Sequence, residues 1–150
     1  MSYNTVDQFL QFSITSGSFD NQSNIVIQEA LDIAANRIDS ALRPHHTLPI
    51  PSGSVPSIVL DAERVIAAYW LWLNQGIDPG VNFKLVEKRY LEVAGVPENP
   101  ASGWLGMVAY GKITVIDDAD QDPSPPKPVF AVISGGAPRR WQQGGGRSVF

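Results

Sequence analysis

Val65-Ile66-Ala67-Ala68-Tyr69-Trp70-Leu71-Trp72-Leu73 is the longest apolar run in the chain. Coiled as a helix at about 1.5 Å per residue, it covers roughly half the thickness of a bilayer core. The run therefore predicts a buried helix rather than a membrane span. Ile58, Val59, Leu60 and Ala62 extend it upstream, so the helix is expected over 58–75, with Gly76 as its C-cap. It is apolar nearly all round, which places it at the centre of a bundle.

The flanking segments supply the helices that would surround it. Ile27, Leu31, Ala34, Ile38 and Leu42 recur at helical spacing and predict a striped helix over 24–42, stopped by Pro44. Gln28, Glu29, Asp32, Asn36 and Asp39 fall mostly on its other faces. A short helix over 6–12 is announced by Thr5 and Gln8, the two members of a capping box. Leu48 and Ile50 anchor the proline-rich loop over 44–56. Downstream, Asp78-Pro79-Gly80 is a turn, and a helix over 81–94 presents Phe83, Val86, Tyr90 and Val93 inward before Gly95 closes it. After the turn Pro97-Glu98-Asn99-Pro100, a helix over 101–110 carries Trp104, Leu105 and Val108 and ends at Gly111. Ile113-Thr114-Val115-Ile116 reads as a short strand, since β-branched side chains suit a pleated backbone. The expected fold is mainly α: a bundle of about five helices, a small β element and an extended C-terminal arm.

Composition divides the chain in two. Residues 1–116 carry eleven acids against seven bases and form the expected bundle domain. Residues 117–122 hold four aspartates, and 123–150 hold Lys127, Arg139, Arg140 and Arg147 with five prolines, five glycines and no acid. Such a stretch has too little apolar content for a core of its own, so 117–150 reads as an acidic linker and an arm. The net charge of −4 disfavours a dominant nucleic-acid binder. The start Met1-Ser2-Tyr3-Asn4 lacks a signal peptide's basic and apolar regions, so the product is expected to stay where it is made. With no cysteine, a disulfide framework, a thiol nucleophile and a cysteine zinc site are excluded.

Few residues suggest chemistry. His45 and His46 are the only histidines, and neighbours in an extended loop point apart, so they chelate poorly. They read as loop residues bonded to backbone or to a partner. Asp118, Asp120 and Asp122 match the start of a calcium loop, but Pro123 and Val129 stand where its glycine and glutamate belong. Gly144-Gly145-Gly146 lacks the strand, helix and lysine of a phosphate loop. No serine sits in Gly-x-Ser-x-Gly. Tyr69, Trp70 and Trp72 read as core aromatics rather than a ligand box. No catalytic residue, metal site or cofactor is therefore expected.

The arm is the more informative feature. Its aromatic residues and arginines are the types enriched at protein interfaces. Val129, Phe130, Val132, Ile133, Arg139, Arg140, Trp141 and Phe150 are the expected partner contacts. Val129–Ile133 has strand character and would pair with 113–116 or with another chain.

Four segments resemble the head–tail connector (neck or adaptor) proteins of tailed bacteriophages, notably the Mu-like group. They are the opening Tyr3-Asn4-Thr5-Val6-Asp7-Gln8-Phe9, the run Ala30–Leu42 continuing to Leu48-Pro49-Ile50, Val55-Pro56 before the long apolar helix, and Tyr90-Leu91 with Trp104-Leu105 ahead of Gly111-Lys112-Ile113. The likeness covers about 3–116. His45 or His46 stands where the family has tyrosine, and Gly103 and Gly106 interrupt the Trp-Leu helix. The resemblance implies a non-enzymatic virion protein of the phage neck, made in the host bacterial cytoplasm. Its implied partners are the portal protein, neighbouring copies in a ring following the portal's twelvefold symmetry, and the next neck or tail-terminator protein. It implies no membrane and no sequence-specific nucleic acid, although DNA passes through the ring lumen. Two other readings remain open: a helical binding module whose arm docks on another protein, and a small hydrolase or metal protein using His45, His46 and aspartates.

Overall fold

A computed structural model describes residues 1–15, 17–75 and 83–115, which lie within a compact unit spanning Met1–Ile116. Five α-helices follow in order: α1 (Val6–Leu10), α2 (Asn24–Leu42), α3 (Ser57–Gln75), α4 (Phe83–Ala94) and α5 (Trp104–Ala109). A 3-10 turn, Pro100–Ser102, precedes the last. The Thr5 hydroxyl accepts from the Gln8 amide at 3.2 Å, and the Gln8 side chain accepts from the Thr5 amide at 2.9 Å, which completes the capping box. Ser23 caps α2 with a single bond, its hydroxyl accepting from the Val26 amide at 3.4 Å.

The expected stripe of α2 is buried throughout, and Ala30, Ala35 and Ala41 are buried with it. Those alanines widen the apolar face without adding bulk. Fully burying a large aliphatic side chain contributes about 1.5–3 kcal/mol, an upper bound because unfolded chains are already partly collapsed. α3 buries Val59, Ala62, Val65, Ile66, Ala67, Ala68, Leu71 and Trp72. It packs against α2 on one side and α4 on the other, and α5 bridges α2 and α4. α2 and α4 also touch directly, where the Arg37 guanidinium lies over the Tyr90 ring. α3 is not enclosed all round, since Leu73 is exposed and Tyr69 and Trp70 are half-buried.

Aromatic contacts join the helices to the N-terminal turns. Phe9 meets Phe19 at 5.5 Å between ring centres, and Phe19 meets Trp72 at 5.1 Å. Trp72 in turn meets Phe83 edge-on at 5.7 Å. On the outer side, Tyr69 stacks on Tyr90. The three aromatics Tyr69, Trp70 and Trp72 are therefore packing residues, as expected.

The small β element is overturned: no strand occurs among the described residues. The nearest feature is one isolated bridge between Val96 and Asn99, across the Pro97-Glu98 turn. Ile113 and Val115 instead pack half-buried on the helical core, with Thr114 exposed between them. β-branching favours the extended backbone, but a strand also needs a partner for its N–H and C=O groups. The other expected strand residues, Val129–Ile133, lie outside the described residues, as does the whole expected arm.

Two boundaries differ from expectation. α1 ends at Leu10, and the chain continues through turns closed by Phe12→Phe9, Thr15→Phe12 and Ser18→Thr15 amide–carbonyl bonds. α5 begins at Trp104 instead of Ala101, because Gly103 is extended and presses on the backbone of α4's end. A Cβ at Gly103 would collide with Ala94 and Gly95, and one at Gly106 would collide with the Pro100 carbonyl. Both glycines are thus explained by close backbone approach. Gly95 and Gly111 take positive φ, +83° and +67°, and end α4 and α5.

Candidate interaction surfaces

The N-terminus is fastened to the centre of the bundle by an acid within the apolar helix. Glu63 of α3 is fully buried. Its Oε1 accepts from the Tyr3 amide at 2.7 Å, and its Oε2 accepts from the Asn4 amide at 2.6 Å. The Asn4 side-chain amide also donates to Oε2 and, at 3.0 Å, to the Leu60 carbonyl. Arg64 Nε donates to Asn4 Oδ1 at 2.8 Å, while its guanidinium lies over the Phe12 ring. The Tyr3 hydroxyl donates to Asp39 on α2. Burial raises the Glu63 carboxyl above the ordinary carboxylate range, outweighing the three N–H donors that pull it down. Burial, then the bond to Asp39, likewise pushes the Tyr3 phenol up. This cluster gives a structural use to Tyr3-Asn4, whose place in the opening motif had no chemistry attached. Glu63 was missed because an acid within a helical run normally signals its wet side.

His45 and His46 do not form a pair. His45 Nε2 lies 3.0 Å from the Ala109 carbonyl, so it ties the end of α2 to the end of α5 beside Gly111. The ring nitrogens of His46 are buried without a hydrogen-bond partner among the described residues. No group of three His, Cys, Asp or Glu side chains is placed to hold a metal among the described residues. Asp118, Asp120, Asp122, Gly144–Gly146 and all eight expected partner contacts lie outside the described residues.

The bundle displays two kinds of outward surface. One is a groove of about 320 Å³ between α3, α4 and α5, floored by Ala62, Val65, Val93 and Trp104 and rimmed by Asp61 and Arg89. The other consists of helix faces with exposed aliphatic residues: Ile25 and Ile33 on α2, Ile58 and Leu73 on α3, Leu85 and Leu91 on α4. Contiguous exposed apolar patches mark contact surfaces, whereas single exposed aliphatics are ordinary on a folded surface. No helix among the described residues is long and apolar enough to cross a membrane.

The described residues define a small helical bundle. The chain belongs to the Bacteriophage Mu Gp36 family, whose model matches residues 6–132. It is thus a structural protein of a Mu-like phage, made in the host cytoplasm and associated with the virion. No curated protein and no solved structure matches it.

Proposed function

We propose that this chain is a neck protein that joins the phage portal to the tail without catalysing a reaction. In this reading, copies form a ring beneath the portal and present a surface to the next neck or tail-terminator protein. Family membership over 6–132 is the observation that carries the proposal. The exposed aliphatic pairs Ile25 with Ile33 on α2 and Leu85 with Leu91 on α4 are compatible with subunit contacts there. The second part of the proposal is that residues 117–150 act as an arm. Val129, Phe130, Val132, Ile133, Arg139, Arg140, Trp141 and Phe150 are its gripping residues, chosen for the interface chemistry of aromatic, aliphatic and arginine side chains.

Co-sedimentation with the portal ring encoded by the same genome tests both parts. The whole chain is compared with a version ending at Asp122. Binding by the whole chain alone supports the neck role and the arm together. Binding by both supports the neck role and removes the arm from portal contact. Binding by neither defeats the proposal.

A further inference from the structure

We propose that copies of this chain associate head to tail through two different faces, the acidic isoleucine face of α2 on one copy and the lysine–leucine face of α4 on the next. The inference rests on the neck reading and specifies the self-contact within it.

The two faces differ in charge and share an apolar content. Along α2, Ile25, Glu29, Asp32, Ile33 and Asn36 fall on one side and line a shallow depression with Val6. Ile25 is 81% exposed and Ile33 is 36% exposed. The helix carries three acids against one base, and that base, Arg37, is turned away to donate to the Tyr90 hydroxyl at 2.6 Å. Among the described residues, Asp32 pairs with the Met1 amine, 3.7 Å away on the fully exposed terminus. Along α4, Lys84, Lys88 and Leu91 share the side opposite the buried Val86, and Leu85 and Glu92 flank it. Leu85 is 46% exposed and Leu91 is 36% exposed. The helix carries three bases against two acids, and Arg89 pairs with Glu92 at 3.7 Å.

Charge selects the pairing. A two-fold contact would set α2 on α2, acid against acid, or α4 on α4, lysine against lysine. Like charges placed across an interface repel, whereas α2 on α4 sets Glu29 and Asp32 against Lys84 and Lys88. Ile25 and Ile33 then meet Leu85 and Leu91 and leave water together. Because the two faces lie on different helices, each copy that makes one contact offers the other face to a further copy. That repetition generates a ring or an open chain instead of a closed dimer.

The chain has no cysteine, so introduced thiols report only the contact they span. Phage particles are assembled with chains carrying Ile25→Cys or Ile33→Cys together with Leu85→Cys or Leu91→Cys, then oxidised and run on a non-reducing gel. The expected result is a ladder of multimers from at least one of these pairings, and monomer from every single variant. Monomer from all the pairings, or dimer from a single variant, overturns the contact. Particles that contain the chain but give no ladder overturn this contact and leave the neck role standing. Particles that lack the chain overturn both. A second measurement uses charge alone. Glu29→Lys with Asp32→Lys in one chain, and Lys84→Glu with Lys88→Glu in another, should each lower the chain's content in particles by about tenfold or more. Supplying the two reversed chains together should restore it. Unchanged content in the separate variants, or no recovery on mixing, overturns the proposal.

Discussion

Glu63 shows how one residue sets the position of a whole segment. Three N–H donors from Tyr3 and Asn4 converge on its carboxyl, sixty positions away in sequence from the first of them. Its raised pKa means that the folded chain holds the Glu63 proton to higher pH than the unfolded chain does. The stability contributed by that protonated form is complete below the ordinary carboxylate pKa. It is lost as pH rises through the raised folded value. The wild-type chain should therefore lose denaturant resistance relative to Glu63→Gln as pH rises from about 4 toward neutrality. Urea midpoints of both chains across that range check it, and a constant difference would count against a perturbed Glu63. Trp72 is the other residue with wide reach, since it touches Phe19 and Phe83 at once. Trp72→Ala should cost about 3–5 kcal/mol in a urea titration.

At the scale of elements, local rules account for most helix ends. The Thr5–Gln8 box starts α1 where the sequence places it, and Thr5→Ala should cost about 1 kcal/mol by chemical denaturation. Gly95 and Gly111 close α4 and α5 as glycines with positive φ commonly do. The late start of α5 is a different case. Helical spacing of Trp104, Leu105 and Val108 is the same whether the helix begins at Ala101 or at Trp104. The start is decided by Gly103 lying against Ala94 and Gly95, a contact between segments that periodicity does not encode. Gly103→Ala should destabilise the bundle by about 1–3 kcal/mol, the usual cost of overpacking, even though alanine is the better helix former. A stabilised variant would show that the approach of the two backbones relaxes freely. The lost strand at 113–115 follows the same logic, because β-branching proposes an extended backbone and only a neighbour supplies the ladder.

For the whole molecule, the arrangement of helices turns two amphipathic segments into two separate docking faces. α3 and α5 each pack against both α2 and α4, and leave Ile25, Ile33, Leu85 and Leu91 uncovered. Self-association through those faces joins a charged contact to an apolar one, so it should weaken as salt rises from about 0.05 to 0.5 M, where the screening length falls several-fold. Sedimentation velocity of the full chain at matched concentrations measures this, and an association that strengthens with salt would point to a purely apolar contact.

The sequence alone determines the order and type of the helices, because their apolar spacings and caps are local signals. The stripe from Ile27 to Leu42, the central run from Val65 to Leu73 and the inner faces of α4 and α5 are all legible there. The motifs from Tyr3 to Ile113 also point to the phage family that the match over 6–132 establishes. What only the tertiary structure decides is where unlike segments meet. Burial of Glu63 under Tyr3 and Asn4, the bond from His45 to the end of α5, and the glycine contact before Trp104 each join residues far apart in the chain. The exposure of Ile25, Ile33, Leu85 and Leu91 belongs to the same class. An apolar residue in a sequence is indifferent to whether it is covered by its own chain or left for another, and packing of the helices settles which.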